Sequence, residues 1–234
     1  MQLFLAQISG NQFHLAPTEI NHCIKVLRKS IGDTINFITG DGALYEGTIE
    51  IASKKLVAGT FSISSPEFGK VPYDLTIAIA PTKNMDRLEW FLEKSIEMGI
   101  TKVIPLLCDH SERKVVKMER LEKIALSATK QSLKGQLAQL EPLTKFEDFI
   151  ESCPSNEVCI AHCEDGEKLS LPEVIEHKKD SSLTVMIGPE GDFSSREIEL
   201  AIAHGITPIH LGKSRLRTET AALVAVSMMY QKYL

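Results

Sequence analysis

The chain has 234 residues, 43% of them hydrophobic and 24% charged, which excludes a disordered chain and leaves enough length to bury a core without covalent staples. Its formal net charge of −5 excludes a surface that is basic throughout, so any contact with nucleic acid must be local. The apolar runs are too short to cross a bilayer and the opening MQLFLAQISGNQF lacks a basic leader, which leads to the expectation of a cytoplasmic protein without membrane attachment.

From the N-terminus, four β-branched runs read as short strands: QLFLAQI (2–8), GDTINFITG (32–40), ALYEGTIEIA (43–52) and KLVAGTFSIS (55–64). Gly40-Asp41-Gly42 between two of them reads as a hairpin turn. Pro17 opens an interruption in which Ile20, Cys23, Ile24 and Leu27 recur at helical spacing. Several short strands in so few residues predict a small barrel. Ser64-Ser65-Pro66-Glu67-Phe68-Gly69-Lys70-Val71-Pro72 reads as a linker, which divides the chain into residues 1–70 and 71–234.

After the linker the rhythm changes. Leu75–Ala80 is a continuous apolar strand, and Asp86–Met98 a helix with a capping-box spacing at Asp86 and Glu89 and a stop at Gly99. Lys102–Leu107 is a strand whose Pro105 asks for an edge or a bulge. A long helix follows over Met118–Leu133, then strands over Glu157–His162, Leu183–Ile187 and Pro208–Leu211, each set apart by a helical pattern. Alternation of this kind predicts an α/β fold with a mostly parallel sheet and helices on both faces.

The five cysteines are odd in number and fit no zinc spacing. Cys159, His162 and Cys163 lie close together, but a well-spaced fourth ligand is lacking. We therefore read no metal site here, and reduced thiols throughout.

Ligands of open parallel sheets bind beyond the carboxyl ends of strands. Two strand ends here carry unusual loops, Gly188-Pro-Glu-Gly-Asp-Phe-Ser194 and Leu211-Gly-Lys-Ser-Arg-Leu-Arg-Thr-Glu-Thr220. Neither matches the dinucleotide fingerprint GxGxxG or the phosphate loop GxxxxGK[ST]. Ser194 and Glu197 have capping-box spacing for the helix that follows the first loop, which Gly205 stops. Glu190 and Glu219 are each candidates for a general base, and Arg217 for stabilising a developing anion. Arg113, Lys114, Lys117, Arg120, Lys123, Lys130 and Lys134 concentrate positive charge, diluted by Glu112, Glu119 and Glu122. Lys25, Arg28 and Lys29, with His22 nearby, make a second basic cluster suited to phosphate.

GPEGDFSSREIELA followed by LGKSRLRTETAA resembles the C-terminal half of the SPOUT-class methyltransferases, and within them the 16S rRNA uracil-N3 methyltransferases, the small subunit methyltransferase E family. HCIKVLRKSIGD (22–33), Asp86-Arg87 through Lys94, Glu97 and Gly99, Ser111-Glu112-Arg113 and the stretch from Ala128 to Ser132 are similar to that family as well. The chain departs from it at Asp192, where the family has glycine, at Arg215, where it has isoleucine, and at Lys134, where it has arginine followed soon by a proline.

The resemblance implies a PUA-like RNA-binding barrel over 1–70 and a methyltransferase domain with a trefoil knot over 71–234. It implies S-adenosylmethionine as cofactor, a uridine of 16S rRNA in the small subunit as target, and a homodimer. Ile187, Gly188, Pro189, Glu190, Gly191, Leu211, Gly212, Leu216, Arg217, Thr218 and Ala221 would hold the cofactor, with Ile187, Leu211 and Leu216 beside the adenine. His22, Lys25, Arg28, Arg113, Lys134 and Arg215 would face RNA. Glu219 would take the N3 proton while Arg217 steadies the uracil. The rival readings are a SPOUT enzyme acting on a ribose 2′-hydroxyl or a tRNA base, and a non-catalytic ribosome-assembly factor.

Overall fold

The computed structural model describes residues 1–153, 157–178 and 181–234. The chain divides into two units, residues 1–70 with 126–137, and residues 71–125 with 138–234.

In the first unit, β-branched and aromatic residues at alternate positions give half-buried strands. They are β1 (Leu3–Ser9), β2 (Gln12–Leu15), β3 (Thr34–Ile38), β4 (Leu44–Ala52) and β5 (Val57–Ser65). They close into a barrel in the order β1-β2-β5-β4-β3, and the parallel pairing of β1 with β3 makes the closure. Phe13, Phe37, Tyr45 and the partly buried Phe61 fill the barrel, with the rings of Phe37 and Tyr45 stacked at 5.2 Å. Gly47 makes room for them, since a Cβ there would meet the Phe13 ring at 2.6 Å.

β2 escaped the sequence reading because only Phe13 and Leu15 of its four residues are buried, too short a pattern to register. The helical spacing after Pro17 is real: α1 (Pro17–Asn21) runs directly into a π-helical stretch, His22–Val26. The Gly40–Gly42 turn stands between the antiparallel β3 and β4. Both glycines have positive φ, at 93° and 98°, and Asp41 accepts from the backbone of Ala43 and the hydroxyl of Tyr45. Residues 126–137 complete this unit. Lys130 pairs with the buried Glu19 at 2.5 Å, and Gly135 exchanges backbone hydrogen bonds with Phe68 and Gly42.

The second unit is built on a parallel sheet. Its strands are β6 (Asp74–Ile79), β7 (Lys102–Leu107), β8 (Gln139–Leu140), β9 (Thr144–Lys145), β10 (Val158–Ala161), β11 (Leu169–Ser170), β12 (Ser182–Ile187) and β13 (Thr207–His210). The order is β11-β13-β10-β12-β6-β7-β8, with β9 also paired to β7. Pro105 lies inside the sheet rather than at its edge. It sits between the stretch of β7 that pairs with β8, at Lys102 and Val103, and the stretch that pairs with β9, at Leu106 and Leu107, where a missing N–H breaks no ladder.

The helices are α2 (Met85–Glu97), α3 (Met118–Gln131), α4 (Phe146–Ser152), α5 (Leu171–His177), α6 (Ser195–Ala203) and α7 (Thr218–Lys232). Asn84, not Asp86, caps α2, its side chain accepting from Asp86 N at 3.1 Å. Glu89 instead accepts from Arg120 at 2.7 Å. Gly99, at φ 92°, ends that helix as the spacing predicts. Phe146, Phe149 and Ile150 of α4 and Ile198 and Ala201 of α6 pack with Ala78, Ile160 and Met186 of the sheet. Ile77, Ile79 and Val185 alternate with these and are fully buried on the opposite face. No helix among the described residues is long and apolar enough to cross a membrane.

Candidate active site

β13, β10 and β12 are parallel neighbours, so their carboxyl ends lie at one rim and the loops that leave them meet. Between these loops is a cavity of about 780 Å³, lined by residues 161–163, 187–192 and 209–218, with Lys168 and Ala221.

The loop after β12 is tight because its backbone must be close to itself. A Cβ on Gly188 would lie 3.0 Å from Phe193 N and 3.1 Å from the Phe193 ring. Asp192 N closes the turn on Pro189 O at 2.9 Å, with Asp192 in the left-handed region at φ 64°. Ser194 and Glu197 then form the expected capping box for α6. The loop after β13 turns at Gly212, φ 117°. The buried Thr218 hydroxyl, at the start of α7, donates to Gly188 O at 3.1 Å and ties the two loops together.

All eleven residues expected to hold a cofactor line this cavity. Ile187 and Pro189 are buried, Leu211, Leu216 and Ala221 half-buried, and Glu190 and Arg217 exposed. One oxygen of the exposed Glu190 accepts from Lys83 N at 2.9 Å and so holds the loop after β6. Arg215 lines the cavity and is exposed.

Glu219 does not line the cavity. Its carboxylate is 9% exposed and lies 3.8 Å from the Arg87 guanidinium of α2. Its second oxygen is buried without a hydrogen-bond partner.

The residues expected to face RNA have different fates. In the first unit Lys25 and Arg28 are exposed, Arg28 at φ 54°. His22 is half-buried, packed edge-on against Phe4 with Nε2 inside the protein. Lys134 is half-buried, and burial lowers the pKa of its ammonium. In the second unit Arg113 donates to Thr82 O at 3.2 Å and to Lys83 O at 2.7 Å, so much of its hydrogen-bonding capacity braces a loop.

Sequence reasoning missed the wall supplied by β10. Cys159 is buried in the strand while Cys163 lines the cavity, which separates the two thiols that had looked clustered. His162 is buried, and burial lowers its pKa, with Lys168 adding to the effect. The Lys168 ammonium is held by the carbonyls of His162, at 3.1 Å, and Glu164, at 2.5 Å. The only signal for these residues was their position at a strand end. Among the described residues there is no cluster of three or more His, Cys, Asp or Glu that could hold a metal ion.

A parallel sheet with a loop-built cavity at its carboxyl rim, in a chain that also folds a small barrel, defines a recognisable class. The RNA methyltransferase domain family matches residues 69–230, and the RNA methyltransferase PUA domain family matches residues 15–62.

Relatives narrow this further. The ribosomal RNA small subunit methyltransferase E of Rickettsia conorii is 30% identical over 226 residues, 94% of this chain and 90% of that one. Its Bacillus subtilis namesake is 30% identical, covering 97% of this chain and 95% of the relative. The chain belongs to the ribosomal RNA small subunit methyltransferase E family. Among solved structures, a probable rRNA-methyltransferase from Porphyromonas gingivalis has a TM-score of 0.89 at 36% identity, covering 100% of this chain and 98% of that one. A candidate methyltransferase from Legionella pneumophila, in complex with the bound cofactor SAM, has a TM-score of 0.80 at 27% identity, covering 99% and 96%.

Proposed function

We propose that this chain transfers the methyl group of S-adenosylmethionine to N3 of a uridine in the 16S rRNA of the small ribosomal subunit. The observation that carries the reading is the cavity between the 188–191 and 211–217 loops, in a chain whose full-length relatives bear that family's name.

The residues present fit such a cofactor. A cavity of about 780 Å³ suits a ligand of nucleoside size. Ile187, Leu211, Leu216 and Ala221 give it apolar walls, and Gly188 and Gly212 keep side chains away from the backbone groups of both loops. Bound there, the cofactor supplies an electrophilic methyl group on a good leaving group. The protein's own work is to align the uracil, exclude water and manage one proton.

N3 of neutral uridine carries that proton and lies on the Watson–Crick edge, so the base must be unpaired when it enters. Arg217, exposed on the cavity wall, is the group we assign to the negative charge on the uracil carbonyls. Glu219, two residues on, is assigned the proton: it has an acceptor oxygen to spare, but it lies behind the cavity wall, 3.8 Å from the Arg87 guanidinium, so the 217–219 bend must open for the uracil to reach it. Lys25 and Arg28 of the barrel are assigned to phosphates, where they set register rather than do chemistry. Their double replacement by alanine should reduce the salt dependence of RNA binding by about two phosphate contacts; an unchanged slope would remove that role.

A homodimer belongs to the same reading. Trp90 of α2 is 46% exposed, and α2 packs on α7, where Leu223, Val224 and Met228 are only half-buried. An apolar face of this kind fits a second copy. Light scattering should give twice the chain mass of 25.9 kDa, and Trp90→Glu should give monomers. A monomeric parent protein would end the dimer reading.

The deciding experiment is transfer of labelled methyl from S-adenosylmethionine to small subunits lacking their native modifications, with nucleoside analysis of the product. Labelled 3-methyluridine is the expected result. Another labelled nucleoside would move the target, and no label in subunits, free rRNA or tRNA would overturn the reading. Glu219→Gln should slow transfer about 100-fold while cofactor affinity stays.

A further inference from the structure

One carboxylate in the cavity wall has no part in the chemistry above. Asp192 occupies a left-handed conformation, φ 64°, which glycine adopts freely and aspartate only at some cost. Its side chain is locked: one oxygen accepts from Cys163 N at 2.7 Å, at the end of β10, and the other from Phe193 N at 2.8 Å. Its backbone carbonyl is held as well, 3.0 Å from Nδ1 of His110. A carboxylate oxygen has more than one acceptor direction, so both oxygens keep capacity after these bonds. The side chain is half-buried and lines the cavity.

The other carboxylate in the lining, Glu190, is exposed and gives one oxygen to Lys83 N, so it is less desolvated and less firmly fixed than Asp192. Lys168, Lys213, Arg215 and Arg217 also line the cavity; they can meet an anion, but they offer no acceptor to a cation. A zwitterionic ligand therefore finds several partners for its carboxylate and, in Asp192, a half-buried anionic acceptor held in place at both oxygens for its ammonium.

We propose that Asp192 binds the α-ammonium group of the cofactor's amino-acid arm. The proposal rests on reading the cavity as the S-adenosylmethionine site. A primary ammonium brings three N–H donors and a full charge, which a fixed, partly desolvated carboxylate matches with charge-assisted bonds. A sulfonium has no N–H or O–H to donate.

Calorimetric titration of the intact protein tests this with three probes. S-adenosylmethionine and S-adenosylhomocysteine both carry the amino-acid arm; 5′-methylthioadenosine keeps the adenosine and lacks it. Asp192→Asn removes the charge, tolerates the left-handed backbone and retains one acceptor for the loop. Asp192→Gly removes the side chain and relaxes the backbone. In both variants the first two probes should lose about tenfold more affinity than methylthioadenosine does, since any loosening of the loop weakens all three alike.

Equal losses for all three probes would place the carboxylate at the ribose or in loop construction, and would overturn the proposal. So would a loss confined to S-adenosylmethionine, which would point to the sulfonium, or no loss at all. A parent protein that binds none of the probes would bring down the cofactor reading itself, and this proposal with it.

Discussion

Single residues decide whether the cavity exists. Gly188 is the clearest case, because an added Cβ would stand 3.0 Å from a backbone nitrogen that has no freedom to retreat: Phe193 N is bonded to Asp192. Gly188→Ala should therefore weaken S-adenosylmethionine binding at least about tenfold, since a shift of a few tenths of an ångström displaces the whole turn. Calorimetry that shows unchanged affinity would mean the turn is softer than its contacts imply. Glu219 teaches the opposite lesson. Its residue type and place in LRTETA marked it from sequence, but its neighbour Arg87 belongs to α2, more than a hundred residues earlier, and no local pattern announces that pairing. Asp192 is legible only as a departure from glycine; that its carboxylate reaches back to Cys163 is tertiary information.

At the scale of elements, local signals were reliable where the chain itself closes the hydrogen bonds. The Ser194–Glu197 capping box is one such case, as is the stop at Gly99. The cap of α2 was misplaced by two residues, because Asn84 and Asp86 are both good caps and Glu89 is drawn away by Arg120. The Glu197 carboxylate, 0% exposed, has a second task that the box does not reveal. One oxygen accepts from Ser194 N and the other from Asp109 N, both at 2.9 Å, so α6 is anchored to the loop after β7. Glu197→Ala leaves two backbone donors short of partners. It should cost about 2–4 kcal/mol and lower the melting temperature by roughly 5–10 °C. A melting curve within about 1 °C of the parent would show that water replaces both bonds.

For the molecule as a whole, an ion-pair network joins three elements and gives stability a pH dependence. Arg196 of α6 bonds Asp109, after β7, at 2.9 Å and Glu147 of α4 at 2.7 Å. Its hydrogen bonds hold both carboxyls below their ordinary pKa range, with Ser194 assisting at Asp109. The folded chain therefore takes up these protons less readily than the unfolded chain does. The contribution is present above the ordinary carboxylate range and is lost as pH falls through the lowered folded values. The network is about half exposed, so the effect is small. Arg196→Ala should lower the melting temperature by about 2 °C at pH 7, and the gap to the parent should close as pH approaches about 3. A gap that stays constant over that range would assign the loss to packing of the arginine stem instead.

The strands with long alternation, the long helices, the change of rhythm after the linker and both loops of the cavity are legible in the residues alone. Each of these is fixed by neighbours along the chain, through side-chain periodicity, glycine conformation and capping. Short strands such as β2 and β11 carried too few residues to show a period, and only pairing makes them strands. The tertiary structure alone decided that residues 126–137 return to the barrel unit. It also decided that β10 stands between β12 and β13 and brings His162 and Cys163 into the cavity wall, and that Glu190 and Arg113 brace loops. Those outcomes depend on which distant strand or carbonyl lies within hydrogen-bond reach, and strand order in a parallel sheet is set by packing across the whole sheet rather than by any one segment.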